Sequence, residues 1–576
     1  MRIILGVNAN HADSSACIII NGKIVAAVEE ERLNRIKHFS GYPIKSIQEC
    51  LNIGNVKSTE ITDIAFNTKP LSNMIPKSLF FIKNLSLKNN QPFKRVIKKM
   101  NIKKTLIENF KINKKVKFHF IEHHLAHIAS AFYPSGFKKA NGLSIDGSGD
   151  FVSCAFAECD NNKIKIKKKT FFPHSLGIFY HGMTQFIGFK HYGEEYKMMG
   201  LAAYGVPKYF DKIKKNLFFE HPNDLFQLNL EYFNHQKPGY KYITGESLEI
   251  DQIYEDKLND LFLNDINSEN DFEEFRKNFA CSVQKVYEYF FEKIISKIVK
   301  RKFSKNLVYA GGCALNSTAN QYITSNNHFD NVYINYAPGD NGGAIGAAMV
   351  VSSYFYKDFE NYKNPYLGTK YSNKKIISLL NDIKYQNKIS YEVISETKLF
   401  NNIAKIISEG NIIGWFQDEM EFGPRALGNR SILADPRNSN MKNIINKKIK
   451  RRESFRPFAP VTLKEFQNEW FESKFISQYM SSLSIVKKDK QKIIPAVTHI
   501  DGTARLQTVE KKTNYKIASL IESFKKITDV PVLLNTSFNE NEPIVMRPEE
   551  ALNCILRNDL DYLVMNNLLI KKLVKE

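Results

Sequence analysis

The chain contains no continuous apolar run of the ~20 residues that a membrane-spanning helix requires. Its best apolar stretch, around Ala344–Val351, has the length of a core helix. Cysteine is sparse: the 7 residues (17, 50, 154, 159, 281, 313 and 554) form no CxxC pair. That pattern argues against a zinc ribbon and a disulfide frame and fits a reducing compartment. The opening MRIILGVNANHADSS has too short an apolar run for a signal peptide, so a soluble, cytoplasmic protein is expected. There is no Walker loop and no GxGxxG. Acidic residues fall short of basic ones, 60 against 82, for a net charge of +22. Arginine is scarce too, 15 residues beside 67 lysines. What is present is ordinary for a globular enzyme: 576 residues, 43% hydrophobic and 25% charged, which excludes wholesale disorder. A chain of this length has room for two large domains or several small ones.

The excess of lysine reads most simply as a surface bias. Its densest stretch, Lys77–Lys117, holds 13 basic residues against the single acid Glu108. It carries no base-reading motif, and nucleic acid is not expected as a partner. This stretch and residues 206–265 are expected to shape an acceptor cleft.

The first thirty residues read as three strands, Ile3–Val7, Ala16–Ile20 and Lys23–Val28, with Asn21-Gly22 as a hairpin turn. The arrangement returns as Gly142–Ile145, a polar loop Asp146–Asp150, then Phe151–Glu158, a turn at Asp160-Asn-Asn, and Lys163–Lys167. Two copies of strand, polar loop, strand, turn, strand suggest a duplicated α/β domain of the actin/hexokinase kind. Farther on, Phe272, Phe275, Phe279, Val283, Val286, Phe290, Ile294 and Ile298 follow helical spacing, which predicts a core helix over Asp271–Lys300. Strands Leu307–Ala310 and Val332–Asn335 run into glycine turns, Gly311–Asn316 and Pro338–Gly343. Each is either an anion site at a helix start or a plain tight turn. The polar region 357–395 reads as a domain junction. Beyond it come helix Leu399–Ser408, strand Ile412–Phe416 and later strands including Val532–Asn535.

Three constellations carry chemistry. His123 and His127 stand at i and i+4, stacked on one helix face, the spacing that holds a single metal ion; two core histidines would look the same. Asp146 and Asp340 would complete the set if they converge, and two imidazoles with two carboxylates suit Fe(II), Mn(II) or Zn(II). Second, residues 425–456 hold six arginines: Arg425, Arg430, Arg437, Arg451, Arg452 and Arg456. In a lysine-rich chain, arginine marks places where the two-pronged guanidinium matters, either for a polyanionic small molecule or for structural salt bridges. Arg505 and Ser537 are further candidates for the anion site. Third, His11 in the loop Asn8–Ser15 is either a general base for a hydroxyl or a turn residue.

These residues sit in longer motifs. Asn-x-x-His11-x-Asp-Ser-Ser, Glu29-Glu-Glu-Arg32, His123-His-Leu-Ala-His127, Gly193–Gly205, Gly311-Gly-Cys-Ala-Leu-Asn316, Glu421–Ser431 and Phe455–Pro460 together resemble the O-carbamoyltransferases, in order and over nearly the whole chain. The resemblance implies a duplicated, actin-like (ASKHA) RNase H-like domain over 1–362 and a YrdC-like twisted α/β domain over 363–576. It implies that the second domain activates carbamoyl phosphate with ATP (and Mg) as carbamoyl-AMP, and that the first moves the carbamoyl group to a hydroxyl of a small molecule or sugar in natural-product or surface-glycan biosynthesis. By motif, His123, His127, Asp146 and Asp340 resemble an iron site. Arg425, Lys450, Arg456, Arg505 and Ser537 resemble the carbamoyl phosphate and adenylate site, with Lys450 and Arg456 catalytic. Gly311, Gly312 and Asn316 resemble nucleotide contacts. His11 resembles the family's catalytic histidine, yet Ala12 intervenes before Asp13, so either residue could hold the basic position. A homodimer is the assembly considered. The competing expectations are a tRNA threonylcarbamoyl-modifying enzyme and a non-catalytic, actin-like nucleotide-binding scaffold.

Overall fold

The computed structural model describes residues 1–83, 101–220, 225–237, 240–264, 266, 268–357 and 362–573. Of the basic stretch, 84–100 lies outside the described residues, as do 221–224, 238–239 and 265 of the second candidate acceptor segment. Chain contacts divide the molecule into one unit of residues 1–31 and 36–363 and another of 32–35 and 364–576.

The first unit holds two five-stranded sheets. In one, Ile3–Asn8 (β1), Ser15–Ile20 (β2) and Lys23–Glu29 (β3) form an antiparallel meander, and Asp63–Phe66 (β4) and Lys117–Phe120 (β5) add in parallel, in the order β3-β2-β1-β4-β5. In the other, Lys139–Gly149 (β6), Val152–Asp160 (β7) and Lys163–Phe171 (β8) repeat the meander, and Asn306–Ala310 (β9) and Asn331–Ile334 (β10) repeat the parallel addition, in the order β10-β9-β6-β7-β8. The same connectivity occurs twice, which is the duplicated actin-like plan. The sequence supports it locally. β1 is apolar up to its last residue, Asn8, and wholly buried, as a central strand covered on both faces must be. β8, Lys-Ile-Lys-Ile-Lys, is an edge strand whose lysines face solvent and block further pairing. Asn21 and Gly22 both have positive φ, +48° and +83°, as a two-residue type I′ hairpin requires.

Helices pack around these sheets. His123–Ser135 (α1) follows β5; Glu269–Lys300 (α2) is one 32-residue helix, capped by the Ser268 side chain. Gly343–Ser352 (α3) is buried along its whole length, and its small residues let it lie close against α1 and β1. One expectation changes. Asp146–Asp150 is not a five-residue loop: β6 runs on to Gly149 through a bulge, and the turn is only Asp150-Phe151, both at positive φ. The bulge turns Asp146 off the regular alternation of the strand.

The second unit is built on an eight-stranded mixed sheet. Its strands are Ile389–Val393 (β11), Ile413–Phe416 (β12), Arg430–Ala434 (β13), Ala459–Leu463 (β14), Gln507–Val509 (β15), Val532–Ser537 (β16), Tyr562–Met565 (β17) and Leu568–Lys572 (β18). They run in the order β11-β18-β17-β12-β13-β16-β14-β15. Helices Glu396–Ser408 (α4) and Tyr515–Thr528 (α5) pack on each other and bury Leu399, Ile403, Ile407, Ile517, Leu520 and Phe524 in the core. Among the described residues no helix is long and apolar enough to cross a membrane.

Candidate functional site

In the first unit, α1 starts at His123 because the Glu122 carboxylate accepts from the Leu125 amide, while the Asp150 carboxylate accepts from the His123 amide at 3.0 Å. This start sets His123 and His127 one turn apart, fully buried and facing inward. Asp146 arrives from the bulged end of β6 and Asp340 from the turn before α3. The four side chains converge. His123 Nε2 lies 2.9 Å from His127 Nε2, 3.0 Å from Asp146 Oδ2 and 3.3 Å from Asp340 Oδ1. His127 Nε2 lies 3.5 Å and 3.3 Å from the same two oxygens.

Ligand atoms 2.0–2.2 Å from a common ion stand about 2.8–3.6 Å from one another in octahedral or tetrahedral coordination. These separations fall in that interval. Asp340 Oδ1 is buried and has no hydrogen-bond donor among the described residues, although it faces both imidazoles. The residues fit a divalent cation with mixed nitrogen and oxygen preference. The electrostatics agree. Burial raises both carboxyls, but the two imidazoles outweigh it at Asp146 and hold that group well below the usual range. Asp340 is pushed up, by burial and then by Asp146. Burial lowers His127, yet the two carboxylates facing it win and bring it to about 9.

The structure separates His124 from its neighbours. Its Nδ1 lies 2.8 Å from Ser144 Oγ and its Nε2 2.8 Å from the Val152 carbonyl, so Nε2 carries the proton and the ring is a core strut. Burial, reinforced by His123 and His127, pushes its pKa down to about 3. Close packing also seats His123: a Cβ on Gly149 would lie 2.1 Å from its ring. The Gly311–Asn316 turn braces the centre. The Gly312 amide donates to Asp146 Oδ1 at 3.0 Å, and the Gly311 amide donates to Pro338 O at 2.7 Å. The Asn316 oxygen caps helix Ser317–Ser325 through the Ala319 amide, and its amide group meets Gln284. His11 packs against the same centre, its ring stacked on His123 at 4.8 Å and its Nδ1 3.9 Å from Asp340 Oδ2.

In the second unit, the six arginines of 425–456 divide by role. Arg430 is fully buried and lies flat on Phe416 at 3.7 Å, and its guanidinium donates to the carbonyls of Gln417, Asn429, Thr369 and Asp418. It is a strut. Arg437 pairs with Asp435, and the exposed Arg451 meets Glu540 at 3.3 Å. The remaining three, Arg425, Arg452 and Arg456, gather around Arg505. Burial and then those three like charges push the Arg505 guanidinium well below its ordinary range, and its Nε is buried without an acceptor. Lys450, only 1% exposed, donates to Ser537 O at 2.5 Å and to Asn539 O and Oδ1 at 2.7 Å each. Burial, with Arg452 and Arg456 behind it, holds its pKa well below normal. Crowded guanidiniums of one sign form a receptor for a multiply charged anion. Arg452 belongs to this cluster, although the motif reading did not select it.

A two-unit α/β protein with a His₂Asp₂ pocket in one unit and a guanidinium cluster in the other is thereby defined as a class. The family models narrow it: the carbamoyltransferase N-terminus matches residues 3–349 and the carbamoyltransferase C-terminus matches 404–572. An uncharacterized protein of Synechocystis, sll1178, is 37% identical over 99% of this chain and 97% of its own. Nodulation protein NolNO of Sinorhizobium fredii is 35% identical over 97% of this chain and 79% of its own. Among solved structures, component A of the Acidaminococcus fermentans (R)-2-hydroxyglutaryl-CoA dehydratase aligns with 62% of this chain and 100% of its own at 11% identity and a TM-score of 0.31. The chain belongs to the carbamoyltransferase family. It is an enzyme that moves a carbamoyl group from a donor to an acceptor, and the scaffold expectation falls.

Proposed function

We propose that the second unit uses one water to split carbamoyl phosphate into phosphate and carbamate, that the carbamate oxygen then bonds to the α-phosphorus of ATP as pyrophosphate leaves, giving carbamoyl-AMP, and that the first unit passes the carbamoyl group to a hydroxyl of a small molecule or sugar. The observation that carries this reading is the guanidinium cluster of Arg425, Arg452, Arg456 and Arg505. Neither substrate can be activated without bringing phosphate charges together, and fixed guanidiniums offset that charge at no reorganisation cost during the reaction. Arg425, Arg456 and Arg505 bind the phosphates. Lys450 fixes the Ser537–Asn539 turn and adds positive charge behind it. Ser537 presents its hydroxyl, 2.7 Å from Asn539 Oδ1, to the adenylate.

A hydroxyl is a poor nucleophile and carbamate a poor acyl donor, so the mixed anhydride is needed. In transfer, the acceptor oxygen bonds to the carbamoyl carbon, the carbon–oxygen bond to AMP breaks, AMP leaves with the electron pair, and the hydroxyl proton passes to a base. His11, whose ring stacks on His123, and Asp13, two residues further on, are the candidates for that base. Gly311, Gly312 and Asn316 are the nucleotide contacts of the first unit by family resemblance, on a turn that the Gly312 amide ties to Asp146 Oδ1. His123, His127, Asp146 and Asp340 hold the cation, Fe(II) by family resemblance. When bound, it supplies a Lewis acid for a carbonyl or phosphate oxygen.

The test is to incubate purified protein with ATP and carbamoyl phosphate, with and without Fe(II), omitting any acceptor. Carbamoyl-AMP by mass spectrometry, or carbamoyl-phosphate-dependent pyrophosphate, is the expected result. A requirement for threonine and bicarbonate instead would transfer the protein to the threonylcarbamoyl class. No adenylate from either donor would overturn the reading.

A further inference from the structure

Asp13 lies in the loop after β1, which the chain holds shut from several sides. The Asn8 amide donates to Ala12 O at 2.9 Å and to Asp13 O at 3.0 Å. The Asn10 and Ser14 amides donate to Gly41 O and Phe39 O at 3.0 and 2.8 Å, and Ser14 Oγ also donates to Gly41 O. Asp13 itself is held at φ +50°, a conformation that a non-glycine residue keeps only where its surroundings over-determine it. These bonds lay the loop along residues 38–41 and bring Asp13 to His38.

The contact is specific. His38 Nδ1 lies 2.8 Å from Asp13 Oδ1, and because a carboxylate only accepts, the imidazole N–H donates. The His38 amide donates to Glu31 Oε2 at 2.8 Å. The far side of the ring is closed by Gly193: at φ +83°, a Cβ there would stand 2.2 Å from His38 Nε2. Tyr192 sets its ring edge-on to His38 at 5.5 Å. The phenol is close enough to both Asp13 and Asp340 that, after burial, their charges oppose its ionisation. Asp13 stands two residues beyond His11, whose ring stacks on His123 and whose Nδ1 lies 3.9 Å from Asp340 Oδ2, so its loop borders the four-ligand centre while Asp13 is not one of the four.

His11 differs in every respect. It is 6% exposed, its ring face is covered by His123, and its Nδ1 faces a carboxylate oxygen of that centre. Asp13 keeps 27% of its side chain exposed, and among the described residues its engaged carboxylate oxygen is Oδ1.

Resting on the transfer reading above, we infer that Asp13 is the base that takes the acceptor hydroxyl's proton, that His38 is the residue that positions it, and that His11 instead backs the ligand His123. As the acceptor oxygen attacks the carbamoyl carbon, its proton moves to Asp13 Oδ2 while His38 Nδ1–H holds Oδ1. Burial works against a charge on His38, and Asp13 and then Glu31 outweigh it, with Lys37 opposing them. The N–H donates to Asp13 whether or not the ring is charged.

The experiment separates the two half-reactions in full-length protein given ATP, carbamoyl phosphate and Fe(II), with glycerol as the probe hydroxyl and water as its competitor. Asp13→Asn should keep the first-turnover burst of pyrophosphate while AMP release falls ~100-fold or more. His38→Leu should cut AMP release about tenfold or more through misplacement of the base. His38→Asn, whose amide N–H can reach the same oxygen, should recover most of it, which a merely structural role would not produce. His11→Asn should lose iron by elemental analysis and lose transfer only in proportion. Wild-type AMP release in Asp13→Asn, or loss of transfer in His11→Asn at full iron content, overturns the inference. A missing burst in the wild type instead rejects the activation reading itself.

Discussion

Two arginines 26 positions apart, Arg430 and Arg456, show how one residue type serves opposite ends. Arg456 stands in the cluster that opposes ionisation of Arg505, at 17% side-chain exposure. Arg456→Ala should leave the fold intact and lower carbamoyl-phosphate-dependent pyrophosphate release by ~100-fold or more, as loss of a preorganised charge does. Unchanged turnover would remove it from the site. Arg430 is a stability residue. Arg430→Lys cannot reproduce four hydrogen bonds to carbonyls and a flat stack, and should cost about 2–4 kcal/mol. Urea unfolding followed by tryptophan fluorescence reads this directly, since the buried Trp415 sits on the strand before it. Counting arginines flagged the region but could not sort them. What separates Arg430 from Arg456 is that one begins a buried strand and turns inward onto Phe416, while the other follows the turn that Asn446 ties to its carbonyl.

Elements set which histidines can titrate. His124 alternates with its metal-facing neighbours on α1 and meets only Ser144 and Val152. Its pKa falls from the ordinary 6.5 to about 3, so the unfolded chain binds a proton that the folded chain refuses. His235, buried and donating to Pro173 O, falls to about 4. The stability these neutral rings provide is complete above pH 6.5 and is lost as pH falls toward the folded values, by up to about 1.4 kcal/mol per pH unit for each group. The urea midpoint of the first unit should therefore fall between pH 7 and pH 5, and His124→Asn should flatten that slope; an equal slope in the variant would contradict a neutral ring. The elements were largely legible, because β1–β3, α2 and β12 follow plain apolar periods. So was the stacking of His123 and His127 on one face, which helical spacing predicts without telling ligands from core histidines. Asp146 and Asp340 could be named as candidates only on the condition that they converge, because no local pattern shows that a bulge and a turn some 190 residues apart meet. His38 gave no signal, for it is brought to Asp13 by backbone bonds from the 10–14 loop to residues 39–41.

For the whole molecule, the division into two units predicts that ligands act locally. Zinc or iron(II) should slow hydrogen exchange in α1, β6 and the 338–343 turn, and carbamoyl phosphate should slow it around 450–456 and 503–505. At 100-fold excess over Kd each would add about 2.7 kcal/mol to the protection of the segments it orders. Carbamoyl phosphate protecting only the first unit would reverse the assignment of the two half-reactions.

The repeated sheet has a consequence of its own. The first strand of each meander carries an amide or acid towards its far end, Asn8 closing β1 and Asp146 in the bulge of β6. In the earlier copy that residue laces a loop; in the later one it faces two imidazoles. The two halves share a strand order and differ in what this position does. A chimera carrying the first half twice would keep the hydrophobic plan of the sheet and have no place for the ion, while the second half twice would lack the aspartate–histidine pair. The two sheets are alike in strand order, while the carboxylate that faces the imidazoles belongs to one of them only, so the site is built on the difference between the halves.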